Sequence, residues 1–387
     1  MPPILIAIDG NEANVSNRVG SNTYAFELLN GLERISVKNE QLAVTVLLSS
    51  PPLSDLPVVH TGWRYQVLGP KPLWTQFALP WHLFLHHYDV LYSPGHYAPR
   101  LSSVPYVSSV MDLAFLEYPD QFKPKDLVQL KNWTRYSVLG ARKVIAISQK
   151  TKADVIKYYG RKASDVTIAY PAISPVAGSL TATDFQRFLK ISQITQPYIL
   201  YVGTLQPRKN LIRLIEAFEQ LQQRQASLKK KNRKQDSSPL QLVLAGKVGW
   251  LAEPLLARIE ASPFVAQIKL IGYVDELTKK ALYQNTHCAV LVGLSEGFGI
   301  PPLEALAWGA IPVVSNTTSL PEVVGKAGIL VDPLAVDAIA QGMEVALLLS
   351  AKERAYYRKE ARLQLKKFDW DKSAQTVLDV LLTLSKS

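Results

Sequence analysis

Short apolar runs recur at residues 4–8, 43–48, 90–92, 104–110, 144–147 and 166–169, separated by longer stretches with helical spacing. Runs rich in Val and Ile, without polar alternation, predict strands buried on both faces, and strands alternating with helices predict a parallel, doubly wound sheet. A second series, at 198–202, 242–245, 268–271, 289–292, 311–314 and 329–331, repeats the architecture. Between them, residues 171–196 mix Pro, Ser, Gly and Thr around a short helical segment with no strand pattern. The pattern therefore predicts two α/β domains, 1–175 and 197–368, joined by a linker at 176–196. A terminal segment, 369–387, follows, and apolar spacing over 374–384 predicts a helix there.

The 387 residues exceed what one core usually holds, and 48% hydrophobic content supplies two buried sheets. The single cysteine, Cys288, lies in an apolar run, which excludes an internal disulfide framework and fits a small core residue in a reducing compartment. The start of the chain has no basic region and meets a charge at Asp9, so it reads as a first strand and not as a signal peptide. No apolar stretch approaches the roughly 18 to 20 residues that cross a bilayer, and a cytoplasmic location is the expectation. The net charge of +11 implies affinity for polyanions: nucleotide phosphates, anionic lipid surfaces or nucleic acid. The tract from Lys229 to Ser238 reads as a solvated loop, the alternative being contact with anionic lipid headgroups or nucleic acid, and it lacks the aromatic residues a nucleic-acid binder would interleave with its cations.

The richest stretch for chemistry runs Ser295-Glu296-Gly297-Phe298-Gly299-Ile300-Pro301-Pro302-Leu303-Glu304, after one buried run and before Gly309. Glycines form a turn, Pro301 or Pro302 starts a helix, and Gly309 sits where that helix should stop. A helix N-terminus reached through Gly297 and Gly299 binds an anion such as a pyrophosphate. Glu296, before the helix, and Glu304, placed in its first turn, are carboxylates able to accept sugar hydroxyls; taken singly, each also reads as an ordinary loop or first-turn acid. A second stretch, Gly203-Thr204-Leu205-Gln206-Pro207-Arg208-Lys209-Asn210, follows the first strand of the second domain. Asn210 reads as the N-cap of the next helix, and Arg208 and Lys209 lie at a strand's carboxyl end, where cations would stabilise a departing diphosphate.

Together with Gly246-Lys247 and Gly272-Tyr273-Val274, these stretches resemble the retaining glycosyltransferases of family 4, of the GT-B fold, in which two Rossmann-like domains face a cleft. The similarity centres on the spacing of Glu296 and Glu304 and runs to Pro321-Glu322-Val323. It implies that Arg208 and Lys209 contact the donor diphosphate, that Glu304 binds ribose, and that Glu296 and the following residues meet the transferred sugar. Gly203, Thr204, Gly246, Lys247, Tyr273, Val274, Gly297, Phe298, Gly299, Ile300 and Leu303 are the remaining donor-side candidates. In the first domain Gly20 resembles the family's glycine loop. Met111-Asp112 stands where the family often has His-Asp, so the histidine is missing; Asp112 is a candidate for orienting the acceptor or sugar, or simply a turn former. The resemblance also implies that the terminal helix crosses back onto the first domain.

Asp369-Trp370-Asp371 spells a metal-binding pattern of other glycosyltransferase folds, but its place before a helix predicts capping. His82, His86 and His87 have the spacing of paired metal ligands without an evident third, and read as a partly exposed helix face. The aromatic segment from Lys71 to Phe84 reads either as core packing or as a membrane contact. The expectation is a metal-independent, retaining hexosyltransferase with no cofactor. Its donor is a nucleotide sugar, UDP-glucose before GDP-mannose, and its acceptor a glycan or lipid-linked glycan of envelope or exopolysaccharide synthesis, with possible partners at an anionic membrane and none among nucleic acids. An epimerase of the same fold and a non-catalytic nucleotide-sugar binder are the rival readings.

Overall fold

The computed structural model describes residues 2–69, 71–95, 97–231 and 239–385. The chain forms two compact units, Met1–Ser174 with Phe368–Ser387, and Pro175–Lys367. Among the described residues the first holds seven strands: β1 (Ile4–Asp9), β2 (Leu42–Leu48), β3 (Trp63–Val67), β4 (Val90–Ser93), β5 (Tyr106–Val110), β6 (Lys143–Ala146) and β7 (Val166–Ile168). They are all parallel, in the order β3-β2-β1-β4-β5-β6-β7. The apolar runs mark all of these except β3. That strand lies at the sheet edge and alternates a buried Trp63 with an exposed Arg64, so it never presents a continuous apolar run.

The helix Trp370–Leu384 packs on the helix Ser21–Ser36 of this unit. Trp370 is buried beside Tyr24, with ring centroids 5.8 Å apart, and the Ser373 hydroxyl donates to Tyr170 O at 2.6 Å. A Cβ on Gly31 would lie 2.6 Å from that of Ala374, so the glycine sets how closely the two helices approach. Asp369 caps its helix by accepting from Lys372 N at 2.9 Å, and Asp371 is ion-paired with Arg34, which gives both carboxylates structural partners.

The second unit holds β8 (Tyr198–Val202), β9 (Gln241–Ala245), β10 (Ile268–Gly272), β11 (Cys288–Leu291), β12 (Pro312–Ser315) and β13 (Ile329–Val331), again all parallel. Their order is β10-β9-β8-β11-β12-β13. The segment expected as a linker carries the helix Ala182–Ile191, capped by Thr181, and its Phe185 and Leu189 enter this unit's core. Cys288 is buried on β11, and burial pushes its thiol up to about 12, out of reach of redox chemistry near neutral pH. The helix Leu211–Lys231 extends into the lysine tract, taking in residues that read as loop, and the rest of that tract, 232–238, lies outside the described residues. Among the described residues no helix is long and apolar enough to cross a membrane.

Candidate active site

Because every strand of the second unit runs the same way, the loops after them share one edge. Strand order reverses between β8 and β11, and crevices at such switch points are where open α/β sheets bind ligands. The loop after β8 carries Arg208 and Lys209, and the loop after β11 carries Glu296. Two more loops, those after β9 and β10, are stitched to the loop after β8. Gly246 N donates to Gly272 O at 2.7 Å, and Leu205 N donates to Lys247 O at 2.9 Å. A Cβ on Gly246 would lie 2.0 Å from Gly203 O, so only glycine allows this backbone contact. Thr204, Lys247 and Tyr273 are exposed on these loops, with Val274 half-buried beside them. The Lys247 ammonium stands 5.2 Å from the Tyr273 ring.

At the switch point Lys209 Nζ donates to both oxygens of Glu296, at 2.6 and 2.9 Å, and both side chains are buried. Arg208 Nη1 donates to Ser295 O at 3.2 Å and lies 3.8 Å from Glu296 Oε2. The two cations and the acid therefore form one cluster. Gly293 leaves room for it, since a Cβ there would meet Glu296 Oε1 at 2.8 Å.

Asn210 corrects one expectation. It precedes the helix Leu211–Lys231, but its φ is +59° and its side chain does not cap a helix N–H. Its amide instead donates to Val292 O at 2.9 Å and Pro333 O at 2.7 Å, tying the loop after β8 to those after β11 and β13. Its Oδ1 accepts from Arg213 at 2.9 Å. Ser319, which sequence reasoning passed over, fastens the glycine turn, with its hydroxyl 2.9 Å from Glu296 O and 2.6 Å from Phe298 O.

The next helix begins at Ile300, one residue before the prolines, and ends at Ala307, with Gly309 just beyond at φ +84°. Gly299 is its N-cap, at φ +114°. Pro301 and Pro302 carry no N–H and Leu303 N bonds to Gly299 O, so Ile300 is the amide this terminus can offer a ligand. Phe298 and Leu303 are buried side chains that brace the turn. Glu304 is the fifth helical residue, not a first-turn one, and is buried. It is the acceptor for Lys279 Nζ at 2.6 Å and for the Tyr283 hydroxyl at 3.4 Å, both from the helix Glu276–Asn285. Burial raises the Glu304 carboxyl above its ordinary range, opposed by Lys279; burial lowers the Lys279 ammonium, but Glu304 and Glu276 more than offset this and hold it charged.

In the first unit, Gly20 is the N-cap of the helix Ser21–Ser36, at φ +47°, with open space where a Cβ would stand. Asp112 follows β5 and accepts from Ala114 N at 3.1 Å, while Met111 is buried beside it. Asp9 ends β1 at this sheet's own switch point, accepting from Asn11, and burial pushes its carboxyl up to about 7. Of the three histidines, read as a partly exposed helix face, His86 and His87 are exposed just past the helix Ala78–Leu85, and His82 alone of them is buried. His82 is buried, bonded to the Tyr88 hydroxyl at 3.0 Å and stacked on His86, and burial pushes it down to about 4. His87 faces Asp89 at 3.6 Å.

The model of glycosyl transferases group 1 matches residues 184–364, and that of glycosyltransferase family 4 matches residues 19–176. The O-antigen chain mannosyltransferase B of Escherichia coli is 29% identical over 296 residues, 74% of this chain and 73% of that protein. The serotype-specific mannosyltransferase WbdA of Escherichia coli is 30% identical over 255 residues, 63% of this chain and 29% of that much longer protein. Among solved structures, Anabaena HepE in complex with UDP and glucose superposes with a TM-score of 0.71 at 16% identity, covering 98% of this chain and 99% of that one. The fold of the chain is thus GT-B.

Proposed function

This chain belongs to the glycosyltransferases of family 4, and we propose that it transfers a hexose from a nucleoside-diphosphate sugar to a glycan or lipid-linked glycan in polysaccharide synthesis. Mannose carried on GDP takes first place as donor, ahead of the UDP-glucose favoured by sequence alone, because the two Escherichia coli relatives are mannosyltransferases.

The observation that carries the proposal is the cluster of Arg208, Lys209 and Glu296 at the switch point, with buried Glu304 on the helix that follows. Arg208 and Lys209 receive the diphosphate, aided by the Ile300 amide, and Glu304 accepts ribose hydroxyls, sharing its carboxylate with Lys279. Glu296 and the glycine turn orient the sugar. As the bond from the anomeric carbon to the phosphate oxygen breaks, its electron pair goes to the diphosphate, whose growing charge the cations stabilise. The acceptor oxygen attacks from the same face, its proton passes to a leaving phosphate oxygen, and the configuration is retained. Arg208, Lys209 and the Ile300 amide meet the charge of the departing diphosphate, so the proposed reaction runs without metal, and Asp112 orients the acceptor.

Calorimetric titration of GDP, UDP and ADP and their hexose conjugates, with EDTA present, tests this reading. It requires one base to bind in the micromolar range and Arg208→Ala to weaken that binding. Absence of binding by any nucleotide, or binding only when a divalent ion is restored, would overturn it.

A further inference from the structure

The helix Ala78–Leu85 of the first unit is apolar on opposite sides. Ala78, Leu79 and Leu83 enter the core, as does Trp74 just before it. Phe77, Trp81, Phe84 and Leu85 face away, with Trp81 66% and Phe84 71% exposed and their rings stacked at 6.2 Å. A helix that is apolar all round is ordinarily covered on every side. Leu101, 77% exposed, widens the patch, because the Ser103 hydroxyl donates to Leu83 O at 2.8 Å and fastens that loop to the helix.

The same loop is fastened to the helix Pro124–Gly140. Ala98 N donates to Ser137 Oγ at 2.9 Å, and the Arg100 guanidinium lies over the Tyr136 ring at 5.7 Å. Leu79 and Leu83 share one core cluster with Val138, which places both helices on one face of the sheet. Lys125, Lys131 and Arg135 are exposed on the second helix. Acidic residues are absent from 56–88, 90–111 and 127–153, whereas the segment between the last two carries Asp112, Glu117, Asp120 and, in the first turn of the second helix, the exposed Asp126.

We propose that this surface docks the chain on a bilayer containing anionic lipid, with the exposed aromatic side chains at the acyl boundary and Arg100, Lys131 and Arg135 on headgroup phosphates. Trp and Phe are the side chains that settle at that boundary, and the exposed cations Arg100, Lys125, Lys131 and Arg135, which outnumber the exposed Asp126 beside them, give the excess of positive charge that an anionic surface attracts. The inference rests on the reading of a lipid-linked acceptor, which a transferase held at the membrane would reach. Vesicle binding needs neither donor nor acceptor, so its outcome is separate from that of the transfer reaction.

The test is sedimentation of the full chain with phosphatidylglycerol–phosphatidylcholine vesicles and with pure phosphatidylcholine vesicles, at low and high salt. The chain should pellet with the anionic vesicles, most strongly at low salt. Trp81→Ser/Phe84→Ser should weaken this roughly tenfold or more, and Lys131→Glu/Arg135→Glu should abolish the preference for phosphatidylglycerol. Nucleotide binding by calorimetry should be unchanged in both variants, which reports an intact fold. Failure to pellet with either vesicle would overturn the proposal, as would pelleting that neither variant alters. Self-association in vesicle-free solution that Trp81→Ser abolishes, without vesicle binding, would make the patch an interface between copies.

Discussion

Lys209 and Glu296 come from loops on either side of the strand-order reversal, 87 residues apart in sequence, and meet as a buried ion pair at 2.6 Å. Removing Glu296 leaves the buried Lys209 ammonium without its carboxylate, which costs about 3–5 kcal/mol, whereas removing Lys209 leaves Glu296 with Arg208 at 3.8 Å and should cost less. Lys209→Met and Glu296→Gln should each lower the urea midpoint, and the double variant should regain much of the loss while transfer stays abolished. Full activity in the double variant would separate the pair from the chemistry.

Glu304 should matter to the ribose and not to the phosphates. Hydrogen bonds to a charged group contribute about 1.5–3 kcal/mol, so Glu304→Gln should raise the Kd of the nucleotide roughly tenfold or more. Inorganic pyrophosphate should bind as before. Equal weakening of both ligands would place Glu304 elsewhere in the mechanism.

Asp9 gives a pH signature in the first unit. Its folded-state value, about 7, lies above the ordinary 3.8, so the folded chain keeps a proton that the unfolded chain has released. The stability this confers is full below about pH 4 and is lost as pH rises to about 7, levelling above that. Asp9→Asn removes the slope, and its stability relative to wild type should grow by about 2–3 kcal/mol between about pH 5 and pH 8. Urea titrations across that window decide it, and a pH-independent difference would refute the burial argument.

Two glycines make a contrasting pair. Gly246→Ala drives a Cβ to 2.0 Å from Gly203 O in backbone that cannot yield without parting the stitched loops, at φ +149°. A loss of about 3 kcal/mol or more is expected. Gly20→Ala meets open space and only an unfavourable φ, for which about 1–2 kcal/mol is expected. Thermal melts of the two variants test the difference.

The buried strands announced themselves because both of their faces are apolar, and Glu296, Arg208 and Lys209 because they sit at strand ends beside glycine turns. What stayed hidden was pairing across the sequence. Lys279 reads as one more surface lysine until the helix Glu276–Asn285 sets it 2.6 Å from Glu304, 25 residues on. Asn210 has the right residue type and position for a cap, yet its left-handed backbone turns the amide toward carbonyls of two later loops. Ser319 lacked a local signal, since its role depends on β12 delivering it beneath the glycine turn. β3 was hidden for the opposite reason, because an edge strand solvated on one side has no apolar run to show.

The placement of the Trp370–Leu384 helix has a consequence for synthesis. A ribosome delivers the first unit's entire sheet early, but the helix that seals Tyr24 and Gly31 emerges only after the whole second unit has been made. The unit begun first is therefore finished last, and until then its Ser21–Ser36 helix presents an uncovered apolar groove to the cell's chaperones.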